Sequence, residues 1–230
     1  MAKIFDFHSH ILPGLDHGSL DLSQSVAQIA MMAACGTDVA LASSHFYPDS
    51  ISLADFIQKR EASVQLLMQN LPEKAPKIVK AAEVYCCPGL ENLSGLEALC
   101  AEGTRCMLLE MPLEKWTDAH FETVDALTGQ GFTILLAHID RYPEKDLEAL
   151  MQLDVSAQIN ASAIVSFWRR RKLKKWFEND RVWAIGSDLH GAEKGGYDHF
   201  SQALRCLDPQ KMQSVMERSE KLLENAIYLN

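Results

Sequence analysis

The chain has 230 residues, 47% hydrophobic and 23% charged, so it can bury a substantial core, and we expect one domain over residues 1–230. Its formal net charge of −9 argues against nucleic-acid binding, which needs a basic surface. The first residues lack the apolar run of a signal peptide, and no stretch approaches the ~20 apolar residues of a membrane span. We therefore expect a cytoplasmic protein without a membrane span.

The predicted elements alternate between strands and helices. A β-rich run at residues 3–8 is followed by a helix at 23–35, with Ser23 as its N-cap, and by a strand at 38–45. A second helix begins at Ser52, where Asp55 completes a capping box. Further strands are predicted at residues 77–85, 105–111, 132–138, 155–160 and 182–188, and further helices at 117–128, 165–177 and 209–229. This alternation predicts an α/β fold with a parallel sheet covered by helices, and about seven strands suit a closed barrel.

Imidazoles and carboxylates stand at the ends of most predicted strands. In chain order they are His8 and His10, His45, Glu83, Glu110, His138, and Asp188 with His190. Any one of them alone would be typical of a hydrogen-bonded loop residue. The carboxyl ends of the strands in a parallel barrel share one rim, so we expect these side chains to meet there. The sixth strand, which ends near Asn160, is assigned no role.

This set of side chains predicts a metal centre. His8 and His10 are two residues apart, so they share a strand face and can chelate one ion, while Asp16 follows the Pro13-Gly14 turn and can reach an adjacent one. Imidazoles mixed with carboxylates suit Mn²⁺, Fe or Zn²⁺ better than Ca²⁺. Because the ligands outnumber the needs of one ion, we expect two or three divalent ions.

The same residues resemble the PHP (polymerase and histidinol phosphatase) superfamily, and in particular its bacterial manganese-dependent tyrosine-protein phosphatases of capsule and exopolysaccharide loci. The motifs are Asp6-x-His8-x-His10, Asp16, Ser44-His45, Ala82-Glu83-Val84, Leu109-Glu110-Met111-Pro112, Ala137-His138-x-x-Arg141 and Gly186-Ser187-Asp188-Leu189-His190. The resemblance covers nearly the whole chain. It implies a distorted (β/α)₇ TIM-like barrel with a trinuclear centre that usually contains manganese.

By resemblance, each metal would have its own set of ligands. The sets would be His8, His10, Glu83 and Asp188 for the first ion, Asp16, His45 and His190 for the second, and Glu83, Glu110 and His138 for the third. Asp6 would orient a histidine instead of binding metal.

The resemblance also implies hydrolysis of phosphotyrosine by a metal-activated water, without a covalent intermediate. The substrate would be a phosphorylated protein, such as the tail of a bacterial tyrosine kinase, and the reaction would regulate capsular or exopolysaccharide synthesis. Arg141 would clamp the phosphate with its planar fork, although a salt bridge to Asp140 or Glu144 is the alternative. His190 is a candidate for protonating the leaving group, but a metal ligand cannot freely do both.

Three departures from the family pattern affect this interpretation, and the first, Ser43-Ser44-His45 where relatives typically have Thr-Pro-His, concerns the backbone. Relatives have Asp-Asp-Gly where this chain has Asp16-His17-Gly18, so His17 is either an extra ligand or a solvent-facing side chain. Relatives also place a phosphate-binding arginine about five residues after His190, where this chain has Gly195. The adjacent Lys194 can supply a charge but no fork. This difference weakens the phosphotyrosine assignment more than the phosphoesterase assignment.

The sequence also bears on other functions. A thiol-based phosphatase is disfavoured, because no cysteine is followed six residues later by arginine. The alternatives that remain are a phosphatase of the histidinol-phosphate type, acting on a small phosphomonoester, and a metal-binding partner module without turnover.

The basic run at residues 168–176 has two interpretations. It is a helix that buries an apolar stripe formed by Phe167, Trp168, Leu173, Trp176 and Phe177, with its cations in solvent, or it is a docking surface for an acidic or phosphorylated protein.

Overall fold

The structure is a computed structural model that describes residues 3–192 and 195–229. Its strands are β1 (Phe5–Ser9), β2 (Val39–Ala42), β3 (His45–Phe46), β4 (Lys77–Lys80), β5 (Glu83–Tyr85), β6 (Cys106–Glu110), β7 (Thr133–Leu136), β8 (Val155–Asn160) and β9 (Val182–Gly186). Its α-helices are α1 (Leu22–Ala34), α2 (Leu53–Met68), α3 (Asp118–Gly129), α4 (Glu144–Leu150), α5 (Ala161–Val165), α6 (Phe167–Glu178), α7 (Asp198–Cys206) and α8 (Pro209–Leu222).

Two of the predicted strands are interrupted. The strand predicted at 38–45 is divided into β2 and β3, and the strand predicted at 77–85 into β4 and β5, so two parallel sheets result, β1-β2-β4 and β3-β5-β6-β7-β8-β9. The two interruptions lie side by side. Across them the Ala81 amide donates to the Ala42 carbonyl, and the Glu83 amide donates to the Ser44 carbonyl, each at 3.0 Å. The sheets therefore continue into each other.

The first and last strands close the ring. The Asp188 amide donates to the His8 carbonyl at 2.7 Å, and the His10 amide donates to the Leu189 carbonyl at 3.1 Å. If β2 with β3 and β4 with β5 are each counted as one interrupted strand, the barrel has seven strands. The predicted α/β barrel fold is thereby confirmed. Strand residues are buried on both faces, as in β6, because side chains fill the barrel interior and helices cover its outside.

Several helix ends differ from the prediction. The N-cap of α1 is Asp21, whose carboxylate accepts the Gln24 amide at 2.9 Å, whereas Ser52 caps α2 as expected. The last helix ends at Leu222, not at residue 229, because the following chain returns to the barrel, where the Leu229 amide donates to the Ile78 carbonyl at 2.8 Å. Helices α4 and α7 were not predicted, since each is short and buries few apolar residues.

The apolar stripe predicted for α6 is only half right. Leu173, Trp176 and Phe177 are buried, but Phe167 is 59% exposed and Trp168 is 74% exposed. Phe167 precedes Trp176 by nine residues, which is about two and a half helical turns, and therefore lies on the opposite side of the helix. None of the helices in the described ranges has both the length and the apolar character that a bilayer crossing requires.

Candidate metal centre

The centre of the barrel rim is the Glu83 carboxylate, at the start of β5. Its Oε2 atom lies 3.1 Å from His8 Nε2, 3.3 Å from His10 Nε2 and 2.9 Å from His45 Nδ1. Its Oε1 atom lies 2.9 Å from His138 Nε2. Four imidazoles, from strands far apart in the sequence, therefore surround one buried carboxylate.

Asp188 lies opposite Glu83 at the end of the last strand. Its Oδ1 atom is 3.6 Å from the Nε2 atoms of both His8 and His10, and 3.4 Å from His190 Nδ1. Asp188 and His138 have left-handed backbones, with φ of 53° and 30°. A positive φ is uncommon outside glycine, and both instances follow a strand at the rim, where the change of chain direction carries these side chains into the cluster.

Three groups of side chains in this cluster have metal-site geometry. In each group the donor atoms all lie within 4.8 Å of one another, and the groups are His8, His10 and Asp188; His10, His45 and His190; and His45, Glu83 and Glu110. The donors are nitrogen and carboxylate oxygen without thiolate, a set that suits Mn²⁺, Fe or Zn²⁺. These clusters are compatible with metal binding.

Two buried oxygens support this fit. Within the described residues, Glu110 Oε2 has no hydrogen-bond partner, and Glu83 Oε2 lies 2.9–3.3 Å from three imidazole nitrogens, none of which is oriented to donate a hydrogen bond to it. A buried charged acceptor without a partner is costly, and a cation removes that cost. The donor set therefore fits a divalent metal.

The charges of these side chains compensate one another. Burial acts to raise the pKa of Glu83, but the charge of His8 and the close contacts with His10 and His138 hold it well below its usual range. Burial acts to lower the pKa of His138, but Glu110 and Glu83 raise it to about 9. The pKa of His10 is likewise well above its usual value, because bonds to Asp16, Asp188 and Glu83 outweigh burial. A metal ion that bound these nitrogens would therefore displace protons.

His190 differs from these histidines. Burial and the charge of His10 lower its pKa to about 4, so its imidazole is neutral at neutral pH.

Asp16 lies at the same rim, against His10 and not between two imidazoles. Its Oδ2 atom is 2.8 Å from His10 Nδ1 and accepts the His45 amide at 3.0 Å. This is the position of a carboxylate that orients a ligand. The adjacent Gly18 is required because a Cβ there would lie 2.0 Å from the Cβ of His10.

Asp6 supports the cluster through hydrogen bonds to the backbone. It accepts hydrogen bonds from the His8 amide at 3.2 Å, the Ser187 amide at 2.8 Å and the Tyr197 hydroxyl at 2.8 Å. Asp6 therefore positions His8 through its main chain and joins the ends of β1 and β9.

Sequence reasoning missed two amides on β8. Asn160 Nδ2 donates to Asp188 Oδ2 at 2.8 Å. The prediction that the end of the sixth strand has no role at the site was therefore wrong. Gln158 Nε2 donates to Asn160 Oδ1 at 3.0 Å, and Gln158 Oε1 accepts the His138 amide at 2.6 Å. The sequence contained a signal for this role, since Gln158 and Asn160 are two residues apart and share the polar face of a strand whose other face is apolar.

The predicted catalytic residues lie around the cluster. The Arg141 guanidinium donates to Asp188, rather than to Asp140 or Glu144, and the side chain is 41% exposed. His17 is exposed, with its ring centroid 4.6 Å from that of His190 and 5.0 Å from that of His45. Lys194 lies outside the described residues.

Comparison with known proteins places this geometry in context. The sequence matches the model of a family described as capsular polysaccharide synthesis, CpsB/CapC, over residues 4–227. The tyrosine-protein phosphatase CpsB of Streptococcus agalactiae serotype V is 26% identical over 212 residues, covering 83% of this chain and 84% of that protein. The tyrosine-protein phosphatase YwqE of Bacillus subtilis is 22% identical over 237 residues, covering 96% and 92%.

Solved structures share the fold. A crystal structure from work on YwqE of Bacillus subtilis and CpsB of Streptococcus pneumoniae, metal-dependent tyrosine phosphatases, matches with a TM-score of 0.81 at 19% identity, covering 97% of this chain and 96% of that one. A TatD-like protein from Archaeoglobus fulgidus matches with a TM-score of 0.51 at 13% identity, covering 96% and 99%. At these identities the matches show a common barrel.

Proposed function

Since this chain belongs to the CpsB/CapC family of capsular polysaccharide synthesis, we propose that it is a metal-dependent phosphoric monoester hydrolase that acts on phosphotyrosine in proteins. The family to which the sequence motifs point is confirmed by the match over residues 4–227. The convergence of four imidazoles on the Glu83 carboxylate, beside an exposed arginine, is the observation that carries the proposal. We also propose that residues 1–230 act as one domain, since a contiguous core underlies the closed barrel.

The proposed metal content is two or three divalent ions, with Mn²⁺ as the first candidate and Fe or Zn²⁺ as the others. The residues proposed to hold them are His8, His10, Asp16, His45, Glu83, Glu110, His138, Asp188 and His190, and Asp16 also orients His10. Bound ions of this kind offset phosphoryl charge and supply an activated water at neutral pH.

Arg141 has a separate proposed role as the phosphate clamp. Its guanidinium is exposed at the rim and held by Asp188, so it lies beside the metal ligands with donors that can turn toward a phosphate. A planar fork can bind two phosphoryl oxygens at once. His190 is better suited to metal binding than to proton donation, because its lowered pKa leaves it neutral. Lys194 stays a proposed second phosphate contact, outside the described residues.

An aromatic wall at the rim favours an aryl phosphate. Tyr47 packs its ring 5.2 Å from His45 and 5.5 Å from Tyr85, and its hydroxyl lies 3.2 Å from His45 Nδ1. A phosphotyrosine ring can pack against such a wall while its phosphate faces the cluster. This observation supports tyrosine over a small aliphatic substrate.

The test measures the turnover of three substrates by Mn²⁺-loaded protein: a phosphotyrosine peptide, p-nitrophenyl phosphate and histidinol phosphate. We expect turnover of both aryl phosphates, loss of turnover with a chelator, and little effect of a thiol-blocking reagent. Preference for histidinol phosphate would instead indicate the small-molecule phosphatase, and metal binding without turnover would indicate a partner module.

A matched pair of variants ties the activity to the site. Glu110→Gln should lose both metal and turnover, whereas Glu114→Gln, four residues later and exposed, should keep both. Elemental measurement on protein purified without chelator would identify the metal.

A further inference from the structure

Helix α6 presents a surface that is unusual for an acidic protein. The formal net charge of the chain is −9, yet α6 contains six cations, namely Arg169, Arg170, Arg171, Lys172, Lys174 and Lys175. The same helix exposes Phe167 by 59% and Trp168 by 74%, with their ring centroids 5.5 Å apart in an edge-to-face arrangement. We call Phe167, Trp168, Arg171 and Lys172 the α6 face.

Intramolecular contacts account for only part of this charge. Lys175 pairs with Glu144 and Glu148, and Lys174 pairs with Glu178 at 3.4 Å. Within the part of the chain that the structure describes, Arg171 and Lys172 make no ion pair and are exposed. Arginine and large aromatic side chains are enriched where proteins bind other proteins.

A groove runs along the same helix. Its volume is about 310 Å³, and its lining includes Phe167, Arg171, Lys174 and Phe177 from α6 together with Leu207 and Lys211. Asp208 also lines it, but its carboxylate caps α8 by accepting the Gln210 and Lys211 amides. The volume lies at the lower limit of ~300–1,000 Å³ for ligand sites, so it suits one inserted side chain. An apolar floor with basic walls suits an aromatic side chain flanked by acidic groups.

The α6 face lies near the metal centre. The chain passes from Asn160, which contacts Asp188, through the five residues of α5 to Phe167. The five-residue helix and three extended links limit the separation of the Asn160 and Phe167 Cα atoms to roughly 17 Å. Arg169, next to Trp168, also lies 3.9 Å from Asp140, which precedes Arg141 in the chain. One extended peptide of a few residues can therefore reach from the rim to the α6 face.

We propose that the α6 face and its groove bind an acidic, aromatic-containing segment of the phosphoprotein substrate while its phosphotyrosine occupies the metal centre. This inference rests on the proposed function and deepens it by assigning substrate recognition to α6. Charge complementarity selects the segment, because arginine and lysine attract carboxylates and phosphates while an acidic protein repels them elsewhere. The exposed aromatics add apolar contact with an aromatic neighbour of the phosphotyrosine.

The kinetic test compares a peptide of about sixteen residues, carrying one phosphotyrosine and a flank of glutamates and tyrosine, with a peptide of about four residues around the same phosphotyrosine. The variants are Arg171→Glu with Lys172→Glu, and Phe167→Ala with Trp168→Ala. Each double variant should raise KM for the long peptide by roughly fivefold to tenfold. The values of kcat, and all constants for the short peptide and for p-nitrophenyl phosphate, should stay within about twofold, because neither pair contacts the metal centre. Added salt should raise KM of the unsubstituted protein for the long peptide only.

Matched controls separate docking from general charge and from stability. Lys74→Glu with Lys221→Glu makes the same change of net charge at exposed positions, Lys74 before the amino end of β4 and Lys221 at the end of α8. Leu66→Ala truncates an exposed apolar side chain on α2. Both should leave KM for the long peptide unchanged.

A binding measurement separates failure of this inference from failure of the proposed function. A fluorescent long peptide with a non-hydrolysable phosphonate should bind the unsubstituted protein more tightly than either α6 double variant, whether or not turnover occurs. Equal KM of the unsubstituted protein for long and short peptides, or binding that the variants do not weaken, would overturn the inference. Two other results would also overturn it. If the variants changed only the sedimentation of the protein with phosphatidylglycerol vesicles, α6 would bind a lipid surface. If they changed only the oligomeric state, α6 would bind a second copy of the chain.

Discussion

Tyr197 connects the closure of the barrel with the support of the metal centre. Its side chain is 2% exposed, and its hydroxyl donates to Asp6 Oδ2 at 2.8 Å and lies 3.0 Å from Thr37 Oγ1. The other oxygen of Asp6 accepts the amides of His8 and Ser187. Tyr197→Phe removes one donor from a buried carboxylate and leaves the ring in place.

The expected cost follows from this geometry. A buried acceptor that loses a donor costs about 1–3 kcal/mol, so we expect a loss of about 2 kcal/mol in the free energy of unfolding. For a chain of 230 residues, at ~2–4 °C per kcal/mol, this lowers Tm by about 4–8 °C.

The cost should depend on pH in one direction. Burial raises the pKa of Asp6, and the Tyr197 hydrogen bond acts against that rise. Removing the hydroxyl raises the pKa of Asp6 further. The variant therefore shows its full loss in free energy of unfolding at a pH where Asp6 is ionised in both proteins. The difference in stability should shrink as the pH falls through the pKa of Asp6, because a protonated carboxyl needs the donor less.

Urea unfolding followed by circular dichroism, with chelator present, measures this difference at neutral and at acidic pH. Tyr228→Phe is the control, since the Tyr228 hydroxyl makes no hydrogen bond within the described residues and its ring contact with Lys77 is kept. A loss below ~0.5 kcal/mol, or a difference that widens on acidification, would refute the reasoning.

Three further predictions concern the metal site. Asn160→Ala removes the amide that holds Asp188, so metal affinity should fall ~10–100-fold in a competition titration with a chelating dye, while Asn92→Ala at an exposed position should not change it. The raised pKa values of His138, about 9, and His10 mean that metal binding must displace protons at neutral pH. Metal affinity should therefore rise with pH toward about 9, and calorimetric heats should vary with the ionisation enthalpy of the buffer; heats independent of buffer would contradict this. Arg141→Lys keeps the charge but loses the fork, so kcat/KM for phosphotyrosine should fall by roughly tenfold or more with unchanged metal content, unlike Arg205→Lys on α7.

The amino-acid sequence determined the parts of this protein that depend on local pattern. Apolar strands alternating with helices predicted a parallel sheet and favoured a closed barrel, and a parallel barrel brings every strand end to one rim. Side chains as distant as His8 and Asp188 could therefore be assigned to one cluster before their distances were known, and the structure places them 3.6 Å apart.

Tertiary structure decided the features that depend on partners from other elements. Gln158 and Asn160 look like ordinary strand residues until His138 and Asp188 are placed beside them, and the amide of Asn160 is useful only at that contact. Phe167 and Trp168 fit an apolar stripe by composition, but both are exposed, because the side of α6 that packs against the protein carries Leu173, Trp176 and Phe177. Local pattern records which residue types can serve as ligands or core, whereas burial and hydrogen bonding are set by how the elements pack, which no short stretch of sequence contains.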